Sequence, residues 1–316
     1  MTKLIIQIPC YNEEKTLATT LQDLPRQIEG IDEVEWLIIN DGSSDRTVDV
    51  AKSYHVDHIV SFPQNQGLAK AFMKGLEVAL QKGADIIVNT DADNQYCAQD
   101  IPLLIEPILN KEAEIVIGTR PIRTIRHFSP TKKILQKLGS WVVRLASNTD
   151  ILDAPSGFRA ISKEAALQLN VFNSYTYTLE TIIQAGQKGI PIKSVPIRTN
   201  PMLRPSRLVK SNLSYVWRSF LTILRIFIIY KPLRFFLLLG SIPFFIGTGL
   251  GMRWLFLFLI GNNPVKIQSL ILTAILIIIG IQLWTFGLVA DLMAANRRLL
   301  EEIQQKLRSQ NINKKL

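Results

Sequence analysis

Between Gln268 and Ala290 the chain runs for 23 residues without a charged side chain, and between Phe235 and Met252 it does so again. A helix needs about 20 apolar residues to cross the hydrocarbon core of a bilayer. The segment joining the two runs holds only Arg253 and Lys266, so the pattern predicts a transmembrane helical hairpin over residues 233–290. Pro243 lies inside the first run, where a membrane helix tolerates it. A buried hairpin in a soluble domain is the competing reading of the same letters.

The charges divide along the same boundary. Residues 1–200 carry 21 Lys and Arg against 23 Asp and Glu, whereas residues 201–316 carry 15 against 3. The whole net charge of +10 therefore comes from the last third. A neutral globular part joined to a basic, apolar part points to anionic lipid headgroups and away from a nucleic-acid partner. Lys231 and Arg234 precede the first run, and Arg297, Arg298, Lys306 and Arg308 follow the second. This positive-inside bias predicts a multi-pass protein of the cell membrane with its globular part in the cytoplasm. Over 206–229 a basic stripe of Arg207, Arg218 and Arg225 opposes Leu213, Val216, Phe220 and Leu224, which suits a helix lying in the bilayer interface. The expected organisation is a globular domain over 1–205, an interfacial helix over 206–232, the hairpin over 233–290 and a tail over 291–316. That tail is helical and charged, a pattern that fits either homo-oligomer contacts or a solvated helix.

The first 200 residues alternate short apolar runs with helical patterns. Strands are expected at 4–8, 36–40, 58–62, 85–89, 114–118 and 190–197. Helices are expected at 15–24, 46–54, 68–81, 101–109, 132–147 and 163–169. Such alternation predicts an α/β fold with a mostly parallel sheet and helices on both faces. The run 4–8 is too short for a signal peptide and reads as the first strand. The two cysteines, Cys10 and Cys97, form no metal-ligand or disulfide pattern.

In a parallel sheet ligands bind beyond the carboxyl ends of the strands, and three expected strands end in polar turns. The run Ile86-Ile87-Val88-Asn89-Thr90-Asp91-Ala92-Asp93-Asn94-Gln95 leads an apolar strand into two carboxylates spaced i, i+2, with an amide oxygen two further on. That arrangement can converge on one hard cation. Solvated loop aspartates give the same letters, but seldom straight after a fully apolar strand. A nucleoside diphosphate leaving group would need such a cation, Mg²⁺ or Mn²⁺, as a Lewis acid. In Asn40-Asp41-Gly42-Ser43-Ser44-Asp45, a turn with Asp45 capping the next helix explains most residues and leaves Asp41 to accept hydrogen bonds from a base or ribose. In Pro9-Cys10-Tyr11-Asn12-Glu13, Tyr11 could stack on a base and Glu13 bond to it.

The segments IPCYNEE, INDGSSD, NQGLAKAFMKGL, VNTDADNQY, IGTR and DAPSGFRAISKEAA resemble, in order and spacing, the family 2 glycosyltransferases of the GT-A fold. More narrowly, the chain resembles the polyprenyl-phosphate glycosyltransferases, dolichol-phosphate mannose synthases and bacterial undecaprenyl-phosphate glucosyltransferases among them. The likeness continues through ETIIQAGQKGIPIKSVPI and the two apolar runs. It implies a GT-A nucleotide-diphospho-sugar transferase fold, a nucleotide-sugar donor, a polyprenyl phosphate acceptor and a divalent cation. Related proteins can form tetramers. Position by position, it implies that Pro9, Tyr11, Glu13, Asp41, Lys70 and Asp91 hold the donor, and that Asp91, Asp93 and Gln95 hold the metal. Asp93, Arg120, Asp153 and Arg159 form the implied catalytic set. Ser156, Gly157, Arg204 and Arg207 would face the acceptor phosphate. Where the family commonly has Gly-x-Ser-Lys, this chain has Pro205-Ser206-Arg207, which keeps the cation and exchanges a point charge for a planar fork.

A phosphate acceptor is already anionic near neutral pH, so the expected reaction is direct, inverting displacement without a base; Asp153 and Glu180 stand as the alternative bases. A transferase acting on a glycolipid or sugar hydroxyl remains the second reading, and a non-catalytic scaffold the third. No Gln-x-x-Arg-Trp of a processive synthase occurs, and no Gly-x-Gly-Thr-Arg stretch of a nucleotidyltransferase.

Overall fold

The computed structural model describes residues 1–121, 140–141, 143–144, 147–171, 177–201, 224–225, 228–260 and 267–313. The chain separates into two compact units, Met1–Ser219 with Gln304–Leu316, and Phe220–Ile303.

The first unit is built on a seven-stranded sheet of order β3-β2-β1-β4-β6-β5-β7. Its strands are β1 (Lys3–Cys10), β2 (Glu33–Asn40), β3 (His58–Ser61), β4 (Ile86–Asn89), β5 (Ile115–Thr119), β6 (Arg159–Ser162) and β7 (Ile192–Pro196). Seven successive residues of β1, Leu4 to Cys10, are buried, because a central parallel strand is covered on both faces and is apolar almost throughout, with Gln7 the polar exception. The helices are α1 (Leu17–Asp23), α2 (Thr47–Ser53), α3 (Leu68–Gln81), α4 (Ile101–Leu109), α5 (Lys163–Gln168) and α6 (Thr178–Lys188). Of these, α3 lays Ala71, Phe72, Leu76 and Ala79 against the sheet, and at Gly75 there is no room for a Cβ beside Gln7 and Ile39. From β1 the chain winds outward to β2 and β3, then returns to place β4 on the other side of β1. Reversal of strand order opens a crevice at the carboxyl ends of β1 and β4.

Two elements depart from the sequence reading. Strand β6 runs antiparallel between β4 and β5, with Asn89 opposite Arg159. Its four residues Arg-Ala-Ile-Ser begin with a charge and offer too little alternation to register as a strand. Helix α6 is the other, ending at Gly189 in the left-handed conformation (φ 67°). Of the helix expected over 132–147, only its end lies among the described residues, and positions 140, 141, 143, 144 and 147 there are helical. The interfacial helix expected over 206–229 lies mostly outside them.

The second unit contains α7 (Pro232–Leu259) and most of α8 (Ile267–Asn313). Helix α7 continues through Pro243. Both helices are long and apolar enough to cross a membrane. They pack on glycine: a Cβ at Gly240 would stand 2.8 Å from the Gly280 carbonyl, and one at Gly247 2.9 Å from Leu276. The Trp284 indole donates to the Leu237 carbonyl at 3.1 Å. Leu238, Phe245, Phe256 and Ile278 are exposed, as expected where the surroundings are as apolar as the side chains.

Candidate active site

Three loops meet at the carboxyl ends of β1, β2 and β4. The first two are stitched together. The Asn12 amide donates to Ser43 Oγ at 2.9 Å, the Ser44 amide to Asn12 Oδ1 at 2.8 Å, and the Glu13 amide to Thr47 Oγ1 at 2.9 Å. Asp45 Oδ1 accepts from the Thr47 amide at 3.0 Å, one residue ahead of the cap position at Arg46. Pro9 lies within β1 opposite Ile39. Tyr11 is exposed just beyond the end of β1, while Glu13 is buried and accepts from Thr16 Oγ1 at 2.8 Å. Asp41 has a task that sequence alone does not reveal. Its carboxylate takes hydrogen bonds from the Gln66 amide (2.7 Å), the Gly67 amide (2.9 Å) and Asn65 Nδ2 (3.0 Å). Three of about four acceptor positions on a carboxylate are thus filled, and Asp41 serves chiefly to fasten the loop leading into α3. Lys70 stands exposed on the first turn of that helix, 3.4 Å from Gln66 Oε1.

The β4 loop holds the paired carboxylates. Asp91 and Asp93 are half-buried, and burial followed by the charge of Asp93 pushes the Asp91 pKa up to about 7, against the pull of Arg120 and a hydrogen bond from Tyr96. Gln95 donates its amide to Asp93 Oδ1 at 3.2 Å. Asn94 between them adopts the left-handed conformation (φ 54°). Above Asp91 lies Gly157, where a Cβ would stand 3.0 Å from Oδ1 and 3.1 Å from Oδ2. Only glycine lets the backbone come this close.

Among the described residues no three carboxylate, imidazole or thiolate groups come together. Two carboxylates and one amide oxygen nevertheless fit a cation that arrives with oxygen ligands of its own. Mg²⁺ sites on phosphate substrates characteristically use one or two carboxylates plus the phosphates. The repulsion between Asp91 and Asp93, offset only in part by Arg120, is the electrostatic counterpart of that fit.

Arg120 and Asp153 form a buried pair. The Arg120 amide, Nε and Nη2 all donate to the Asp153 carboxylate, at 3.2, 2.7 and 3.0 Å. Burial works against the Arg120 charge, but Tyr96, the bonds and charge of Asp153 and the charge of Asp91 outweigh it and hold its pKa above the usual value. A carboxylate so occupied is a poor base, so Asp153 orients Arg120 instead. Arg159, counted from sequence among the catalytic residues, is fully enclosed. It donates to the carbonyls of Ser156 (2.8 Å) and Ala154 (2.9 Å) and to Thr181 Oγ1 (2.6 Å), and burial lowers its pKa to about 10. It therefore props the 153–157 turn from beneath. Ser156 is buried, and its hydroxyl has no partner among the described residues. Arg204 and Arg207 lie outside the described residues. Glu180 is buried in α6.

Sequence reasoning missed the polar groups that hold this turn. Tyr96 accepts from the Gly157 amide at 3.0 Å and stacks on Phe158. Asn89 donates to the Gly157 carbonyl (2.8 Å) and to Tyr177 Oη (2.9 Å), and Gln7 donates to Asn89 (2.9 Å). Their one signal in the sequence is polarity where a strand should be apolar, at Gln7 and Asn89.

Residues 5–169 match the sequence profile of Glycosyl transferase family 2, just over half of the chain. The chain belongs to glycosyltransferase family 2. Among its relatives is the UDP-N-acetylglucosamine–dolichyl-phosphate N-acetylglucosaminyltransferase of Methanococcus voltae, 32% identical over 214 residues, covering 61% of this chain and 83% of that one. The undecaprenyl-phosphate mannosyltransferase of Micrococcus luteus is 27% identical over 205 residues, covering 62% and 82%. In structure, the chain resembles the glucosyl-3-phosphoglycerate synthase of Mycobacterium tuberculosis solved with Mn²⁺, UDP-glucose and phosphoglyceric acid. The TM-score is 0.55 at 20% identity, over 72% of this chain and 79% of that one. This likeness establishes the GT-A fold. The sequence-based expectations of family, fold and glycosyltransferase activity hold.

Proposed function

We propose that this family 2 glycosyltransferase moves a sugar from a nucleotide-sugar, UDP- or GDP-linked, to a membrane polyprenyl phosphate, with inversion at the anomeric carbon. The carrying observation is the Asp91–Asp93 pair, held at the switch point of the sheet beneath Gly157 and beside the charge of Arg120. Asp91, Asp93 and Gln95 would hold Mg²⁺ or Mn²⁺, which neutralises charge on the departing nucleotide. Tyr11, Pro9 and Glu13 line the base side of the crevice, with Lys70 near the phosphates. Arg120, held by Asp153 through Nε and Nη2, would meet phosphate oxygens with its remaining N–H groups.

Occupation of Asp153 by Arg120 also favours a phosphate over a hydroxyl acceptor. A hydroxyl needs a base to remove its proton, and the candidate nearest the arginine is spent on that arginine. A phosphate monoester needs only to be positioned. Names of the relatives point the same way, since both carry lipid phosphates. Arg204 and Arg207 would clamp the acceptor phosphate, at the start of a stretch (201–234) with seven Lys and Arg and no acid. We place the first unit in the cytoplasm and both apolar helices across the cell membrane, by the positive-inside bias.

Nucleotide release from a panel of UDP- and GDP-sugars in the presence of polyprenyl phosphate tests this reading. Asp93→Asn and excess EDTA should each abolish release while the fold persists, a loss of several kcal/mol of transition-state stabilisation by the order of magnitude of metal-ion catalysis. Full activity of either would overturn the metal assignment.

A further inference from the structure

We propose that Asn200 is a positioning residue for transfer: it fixes the turn that directs Asp93 and Gln95 towards one cation. This deepens, and rests on, the reading of that turn as the metal site. Left-handed backbone is unfavourable for a residue with a Cβ, though Asn tolerates it best, and Asn94 occupies it at φ 54° directly between the two candidate ligands. Such a conformation persists where its surroundings over-determine it, and here the surroundings come from two distant segments.

From α1, the Asp23 carboxylate accepts a hydrogen bond from Asn94 Nδ2 at 2.7 Å. From beyond β7, Asn200 closes on the loop from the other side. Its amide N–H donates to the Gln95 carbonyl at 2.9 Å, and its side-chain Nδ2 lies 3.1 Å from the Asn94 carbonyl, 3.3 Å from the Tyr96 carbonyl and 3.4 Å from Asn94 Oδ1. One residue thus grips three successive carbonyls. The strap that carries it is itself docked: Thr199 pairs with Tyr96, and the Arg198 amide, Nε and Nη2 donate to Asp100 at 2.6, 2.9 and 2.6 Å. A purely structural staple would tie the strap to the sheet or to a helix. Asn200 ties it to the three carbonyls of the turn between the paired acids and Tyr96, where a small shift re-aims the ligands. Loss of a partner that orients a metal ligand typically weakens metal binding about 10–100-fold.

The experiment uses the full chain in detergent. Mn²⁺ binding is followed by electron paramagnetic resonance in wild type, Asn200→Ala, Asn200→Asp and Asp93→Asn, with thermal melting measured alongside. Asn200→Ala removes the side-chain grip, and Asn200→Asp replaces the donor by an anion of the same size. Both should bind Mn²⁺ about 10–100-fold more weakly while melting well above the assay temperature, and excess Mn²⁺ should restore much of their transfer rate. Wild-type Mn²⁺ affinity in either folded variant would overturn the inference, and if Asn200→Ala does not fold, Asn200→Asp is read alone. If Asp93→Asn loses Mn²⁺ while the Asn200 variants keep it, this inference fails and the metal site stands. If Asp93→Asn also binds Mn²⁺ like wild type, the metal site itself fails.

Discussion

The two units bury opposite kinds of residue. In the α/β unit, Leu, Ile and Phe fill the interior together with a polar set, Arg159, Asp153, Asn89 and Asp41 among them, each hydrogen-bonded. In the helical unit the contact between α7 and α8 runs along Gly240, Gly247 and Gly280, while Leu238, Phe245 and Ile278 face outward. Water explains the first pattern, because apolar area leaves it and polar groups taken with that area must be paired. It does not explain the second. Where the surroundings are hydrocarbon, moving Leu inward gains little and close approach of the backbones gains more. A contrast this sharp within one chain supports the proposal that the two units meet two solvents.

Breaking a polar pair in the α/β unit should have the largest effect. Asp153→Ala leaves the Arg120 charge buried without its partner and should cost about 3–5 kcal/mol of stability, read from the first unfolding transition in a denaturant titration. Arg120 binding to substrate phosphate should partly offset this, so melting of the variant should respond to added nucleotide-sugar more than wild type does. A variant as stable as the parent would mean that Asp153 does not hold Arg120.

A matched pair of substitutions sharpens the contrast directly. Ile38 and Ile278 are the same residue type, one fully buried in β2 and the other exposed on α8. In nanodiscs Ile38→Ala should cost about 2–5 kcal/mol, the usual range for a core isoleucine. Ile278→Ala should cost less than about 1 kcal/mol, since in the proposed membrane placement lipid contacts that side chain in every state. Equal losses would place α8 in a protein interior and restore the soluble-hairpin reading.

How much could be read from sequence follows from the same contrast. Strands β1, β2 and β4 are legible because both faces are covered, so each carries a run of at least three successive apolar residues, at 4–6, 36–39 and 86–88. Helix α3 is legible to its terminal residues, Leu68 and Gln81, since Gly67 precedes it and its apolar period is regular. The Asp91–Asp93 pair stands out because it follows Asn89 and Thr90 at the end of such a run. Strand β6 is illegible for the opposite reason: Arg159 begins it, and that arginine is buried by three specific bonds that no periodicity encodes. Asp41 shows a subtler gap. Its position at a strand end is visible in the sequence, but its partners Asn65, Gln66 and Gly67 lie 24 to 26 positions away. The clasp of Asn200 on the loop of Asp91 and Asp93 spans 104 to 106 positions and leaves no local trace.

The most direct measurement places the two solvents in one reaction. Purified full-length protein in detergent is given a radiolabelled nucleotide-sugar and either a polyprenyl phosphate or the matching polyprenol, with Mg²⁺ or with EDTA. Label should enter the lipid fraction only with the phosphate and only with metal, because the anion is what Arg120, Arg204 and Arg207 would hold through charge-assisted hydrogen bonds. Efficient transfer to the neutral polyprenol, or to a soluble sugar with no lipid present, would contradict it.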